Sequence, residues 1–112
     1  LKTEQLFARL AKEQLLDPTD PNELEILLEV LWDEIDSGIV NAAIEIVPVA
    51  AAIDYLVAIA LSNLHSNCSR MMAVDKMASH PTEVARLRAL NDIIFTCGNE
   101  RIVQHAKEFL ND

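Results

Sequence analysis

The sequence predicts an all-α protein of about seven helices, and three observations carry that prediction. Hydrophobic residues make up 51% of the chain and lean on Ala, Leu, Ile and Val, of which Ala and Leu favour helix. Only two residues are Gly, Gly38 and Gly98, too few for a succession of hairpin turns. Three of the four prolines, Pro21, Pro48 and Pro81, stand at the head of long helical patterns, where a missing N–H has no partner to lose. At 112 residues the chain forms one domain, 1–112, that buries roughly two-thirds of the surface its unfolded form exposes.

The elements follow in order. An N-terminal helix is expected over residues 2–16, and then three helical hairpins pair 21–36 with 39–47, 48–65 with 68–79, and 81–97 with 100–110. Asp20 with Glu23 has the spacing of an N-cap and its capping-box partner, and Glu83 stands likewise after His80. Ser37-Gly38, Ser66-Asn67 and Gly98-Asn99 mark the remaining breaks. Successive helix-opening prolines lie 27 and 33 residues apart, a spacing found in helical-repeat architectures. The apolar run from Ile39 to Leu64 is long enough to raise a membrane span, but Asn41, Glu45, Pro48 and Asp54 interrupt it. Charges at those depths are costly in lipid, so a buried helix pair is the better expectation.

Charge is distributed very unevenly. The net charge is -9, a sign that repels phosphate backbones and anionic lipids and argues against nucleic-acid and membrane partners. Between Glu13 and Ser69 there are eleven acids and no Lys or Arg, hence -11 in that interval. The first twelve residues carry +2, and six bases balance six acids from Arg70 onward. The stretch NELEILLEVLWDEID, residues 22–36, concentrates six of those acids. At about 100° per residue, Glu25, Glu29, Asp33 and Asp36 form one stripe opposite Leu24, Leu27, Leu28, Leu31 and Ile35, with Trp32 at the border. Like charges four apart cost a helix about 0.2–0.5 kcal/mol per pair, which a single Lys would relieve. Two readings compete: a solvated acidic face, or a docking surface in which the stripe, Trp32, and the nearby Asp17 and Asp20 receive a basic partner.

Other candidate residues carry weaker chemistry. Asp54 lies in the run VPVAAAIDYLVAIAL, where a buried carboxylate needs a partner; Arg86 or Arg88 is expected to supply a structural ion pair. His65 and Cys68 share i, i+3 spacing, and Cys97 and His105 flank the last turn, but no Cys-x-x-Cys or close His pair announces a metal. Cys68 and Cys97, with no further Cys to build a framework, read as reduced thiols of a cytoplasmic protein, with a single bridge between them as the alternative. Met71, Met72 and Met77 are expected to fill gaps between helices. The chain opens at Leu1 without Met and lacks a signal-peptide pattern, which suggests a trimmed chain or fragment. It contains no Gly-rich phosphate loop, Ser elbow or Glu-x-x-His pair, so no catalytic residue, cofactor or metal is assigned.

The final segment, ARLRALNDIIFTCGNERIVQHAKEFLND, resembles a short HEAT-type repeat of the lyase-associated kind. The matching residues are Arg88, Ala89, Gly98, Glu100, Arg101, Val103, Glu108, Leu110 and Asp112, while Phe95 and Phe109 are bulkier than the small residues usual there. The resemblance covers about a quarter of the chain. It implies a curved stack of helix pairs used as a binding surface, with no chemistry, and the whole chain is expected to form an irregular HEAT-like stack or a compact bundle. By type and charge the whole chain also resembles bacterial immunity proteins, which neutralise a toxin without catalysis. That likeness implies a basic partner, a nuclease toxin above all, whose cleft the carboxylate stripe covers. Two alternatives stay open: a HEAT-like adaptor or piece of a longer repeat protein, and a small enzyme with a site around Asp54, His65 and Cys68.

Overall fold

Local hydrogen-bonding chemistry sets the helix boundaries. The computed structural model describes residues 2–110, with side chains from residue 5 onward. Its helices are α1 (Lys2–Lys12), α2 (Pro21–Asp33), α3 (Ser37–Ile46), α4 (Val49–Leu61), α5 (Asn67–Ala78), α6 (Glu83–Thr96) and α7 (Glu100–Glu108). There is no strand among the described residues. Asp112, one of the residues in the HEAT-like match, lies outside them.

Four helices start on a side-chain cap that satisfies otherwise orphaned amides. Asp20 accepts from the Asn22 and Glu23 N–H groups (2.8 and 3.3 Å), and Asp36 accepts from Ile39 (3.2 Å). Ser66 accepts from the Ser69 N–H (3.1 Å), and Asn99 from Arg101 and Ile102 (3.0 and 3.4 Å). Pro21 occupies the first turn of α2 as expected, whereas Pro48 is itself the N-cap of α4.

Several boundaries differ from the sequence expectation, each for a local reason. The first helix stops at Lys12, not near 16, because Gln14 turns left-handed (φ 58°). The Gln14 N–H then donates to the Ala11 carbonyl and the Leu15 N–H to Leu10 (3.0 and 2.9 Å), which closes a Schellman motif on a non-glycine residue. The second helix stops at Asp33 because the Glu34 carboxylate accepts from the Ile35 and Asp36 N–H groups, both at 3.1 Å. Ile35 is therefore exposed instead of buried, and Ser37-Gly38 opens α3 instead of breaking the chain. Glu23 does not complete a capping box on Asp20; its carboxylate accepts from the Asp17 N–H at 3.2 Å. Ahead of α6, Thr82 is the N-cap, while His80 Nδ1 accepts from the Thr82 N–H at 3.0 Å.

The helices pack chiefly on neighbours one or two places along the chain. Helices α2, α4 and α6 follow one another in one row and α1, α3, α5 and α7 in a second, giving a two-layered stack of 42 × 27 × 17 Å. Its radius of gyration is 13.6 Å, near the value of about 13 Å for a globular chain of this size. The core runs between the rows: Leu27 and Leu31 of α2, Val40 and Ile44 of α3, Leu56 and Ile59 of α4, Val74 and Met77 of α5, Leu90 and Ile93 of α6, and Ile102 of α7. Met77 is fully buried, and Met71 and Met72 pack half-buried at the margin of the core.

Cations of the second half close helix C-termini, where carbonyls lack intrahelical donors and the helix dipole is negative. Arg70, only 4% exposed, donates from Nε to the Ala60 carbonyl at the end of α4 (2.9 Å) and from Nη2 to Cys97 Sγ (3.4 Å). Lys76 Nζ donates to the Glu45 carbonyl at the end of α3 (3.1 Å). Arg86 Nη1 donates to the His80 carbonyl (2.8 Å).

Candidate functional site

An amphipathic helix shows its neighbour-free face to solvent, and on α2 that face carries Glu25, Glu29 and Asp33 at i, i+4 spacing, all exposed. The apolar face turns inward through Leu27, Val30 and Leu31. Trp32 stays at the border and is 68% exposed, held by an edge-to-face contact with Tyr55 of α4 (centroids 5.9 Å apart, planes at 86°). Between α1, α2 and α4 this leaves a groove of about 620 Å³, lined by Phe7, Glu25, Leu28, Glu29, Trp32, Asp33, Asp54 and Tyr55. A second hollow of about 310 Å³ shares Phe7, Glu29 and Asp33 and adds Ala8, Val30 and Glu34.

Five carboxylates thus border two adjoining hollows, and no Lys, Arg or His is among their lining residues. The ion pairs among the described residues lie elsewhere: Arg9 with Glu13, and His105 with Asp75 and Glu108. The groove combines concentrated negative charge with an aromatic wall and an apolar floor of Phe7 and Leu28. It offers hydrogen-bond acceptors and π-faces, the chemistry that receives a cation.

Asp54 does not sit where the sequence suggested. It is exposed on the outward face of α4 and lines the groove, and no ion pair joins it to Arg86 or Arg88. The physical reason is rotational: Ala52, Leu56, Ile59 and Ala60 form the buried stripe, and Asp54 falls opposite it. Arg86 is committed to the His80 carbonyl and Arg88 is exposed on α6. The Ala-rich composition hid this, because Ala sits equally well on either face.

Of the seven expected docking residues, Glu25, Glu29, Trp32 and Asp33 line the groove and the other three cap backbone. Asp20 and Asp36 are the N-caps described above. Asp17 accepts from the Thr19 hydroxyl (2.6 Å) and N–H (2.9 Å), contacts that hold its carboxyl below the ordinary range. Sequence reasoning missed Phe7, Leu28 and Tyr55. The signal for Tyr55 was its position beside Asp54 at the edge of the outward face of α4.

The remaining candidates do not converge. Asp54 sits mid-helix, about 10 Å of helical rise from the α4 C-terminus that precedes His65. His65 lies in the following turn, where burial first and the Arg70 charge second lower its pKa. Cys68 and Cys97 are free thiols. Cys68 faces the Asn41 amide at 3.7 Å and Cys97 the Arg70 guanidinium. His105 Nε2 bonds Asp75 Oδ1 (2.6 Å), tying α7 to α5, and stacks edge-to-face with Phe109. No group of three His, Cys, Asp or Glu arranged for a metal occurs among the described residues, and no described helix is long and apolar enough to cross a membrane. The chain matches no family model, no curated protein and no solved structure.

Proposed function

We propose that this chain is a non-catalytic cytoplasmic inhibitor that binds a basic protein and neutralises it by occlusion, as an immunity protein or antitoxin does with a nuclease toxin. One observation carries the proposal: Glu25, Glu29, Asp33 and Asp54 share a groove with an exposed Trp, and no base among the described residues neutralises them. A nuclease cleft that receives phosphates is lined with cations, and a carboxylate-rich surface is complementary to it. Carboxylates there steer encounter, and Trp32 provides the aromatic anchor that such interfaces favour.

The test sets the parent and the charge-reversed Glu29→Lys, Asp33→Lys protein against the basic toxin domain that this proposal expects to be encoded beside the chain. Both positions are exposed, so the fold is retained. Association slows more than tenfold at low salt, and the difference shrinks as salt rises. Equal association rates for the parent and the double reversal would end the proposal.

A different surface favours a HEAT-like adaptor or a segment of a longer helical stack. Val84, Leu87 and Phe95 are 65%, 37% and 84% exposed and fall on one stripe of α6. In a quasi-one-dimensional stack, such a face is where a further repeat packs. Multi-angle light scattering or a longer reading frame that supplies the next hairpin discriminates this alternative.

A further inference from the structure

The groove between α1, α2 and α4 has a chemistry more selective than its sign of charge. A lysine ammonium is a compact, strongly hydrated point charge, and in an open groove it keeps its water and gains only screened attraction. A guanidinium is planar and weakly hydrated, and it can stack on an aromatic face while its N–H groups fork onto carboxylates. The groove presents both features together. Trp32 is 68% exposed beside Tyr55, and Glu29, Asp33 and Asp54 approach from two different helices. Among the described residues no other residue donates a hydrogen bond to these three carboxylates, in contrast to Asp17, Asp20, Glu34 and Asp36, which are occupied by backbone amides. Within the acidic interval, the carboxylates that keep free acceptors are therefore Glu25, Glu29, Asp33 and Asp54, and all four line this groove. At about 620 Å³ the space accommodates a side chain together with part of the segment that bears it, since clefts of about 300–1,000 Å³ take drug-sized ligands.

We infer that the groove is an arginine-selective receptor, in which an arginine of the basic partner stacks on Trp32 and pairs with Glu29, Asp33 and Asp54. This inference rests on the basic-partner proposal above and adds the identity of the residue recognised. The selectivity comes from joining cation–π contact to forked hydrogen bonding, which an ammonium does not reproduce.

The chain has a single Trp, so its fluorescence reports on this groove alone. The intact protein is titrated with two capped peptides of equal length and charge, one alternating Arg with Gly and the other Lys with Gly, at matched ionic strength. The arginine peptide is expected to change Trp32 emission and to bind about fivefold more tightly than the lysine peptide. Asp54→Asn, an exposed isosteric change, reduces arginine-peptide affinity more than lysine-peptide affinity. In Trp32→Leu, followed by calorimetry, the ratio of the two affinities falls to about one. Equal affinities for both peptides, each abolished by Glu29→Lys, Asp33→Lys, overturn arginine selectivity and leave the basic-partner proposal standing. Absence of binding by either peptide overturns both.

Discussion

A single substitution, Glu29→Lys, separates what the acidic row does for folding from the binding role proposed for it. Glu29 lies four residues after Glu25 and four before Asp33, all three exposed on α2, so it takes part in two repulsive pairs. Each like-charge pair at this spacing costs about 0.2–0.5 kcal/mol and each opposite pair returns a similar amount. Reversal at the shared position therefore converts two penalties into two gains, a stabilisation of about 1–2 kcal/mol at low salt. The pair that the introduced lysine makes with Glu25 has the favourable polarity, with the acid on the N-terminal side, and contributes the larger share. For a domain of this size the gain corresponds to roughly 4–8 °C in Tm, read by circular dichroism at low salt and again at high salt, where screening removes most of it. The proposed function requires binding to a basic partner to weaken in the same variant. A protein that gives up stability to hold carboxylates together at a working surface shows this opposition. A Tm that falls at low salt, or a gain that persists unchanged at high salt, refutes the placement of the three carboxylates as a solvated, mutually repelling row.

Two further variants test how the scaffold is held. Arg70→Leu keeps apolar volume but leaves the Ala60 carbonyl without its donor, and urea unfolding should show a loss of about 1–3 kcal/mol. The same variant raises the pKa of His65 towards 6.5 in an NMR titration, because the Arg70 charge is one of the causes that lower it. For His65 itself the folded pKa lies below the unfolded value, so the unfolded state takes up its proton first as pH falls through 6.5. Stability is therefore lost from just above 6.5 downward and levels off below the folded pKa. The His65→Leu variant loses less Tm than the parent between about pH 7.5 and pH 5, and an identical slope in both proteins contradicts the half-buried placement.

Much of the scaffold was legible because helix starts are local. Asp20, Ser66 and Asn99 carry their caps in the side chain, and the breaks at Ser66-Asn67 and Gly98-Asn99 sit where sequence chemistry places them. Helix ends were less legible because alternative local bonds compete there. The left-handed Gln14 and the Glu34 carboxylate each end a helix without the glycine that normally signals a stop. In α4 the sequence showed an apolar run but not its rotation, since Ala at exposed positions 50, 51 and 58 looks the same as Ala at buried positions 52 and 60. Asp54 accordingly reads as an interior residue in the sequence, although it faces solvent in the fold.

By itself the sequence determined an all-helical chain with its excess negative charge confined to one interval, because helix propensity, capping and net charge are properties of residues and their near neighbours. Only the tertiary structure decided that α4 brings Asp54 and Tyr55 beside the α2 row, and that Phe7 of α1 closes the same groove. It also decided where the cations go. Arg70, Lys76 and Arg86 are drawn to backbone carbonyls near helix C-termini. For Arg70 the reason is burial, since an interior carbonyl needs a donor more than an exposed carboxylate in water does, and with Lys76 and Arg86 also bonded to backbone the groove keeps its negative charge.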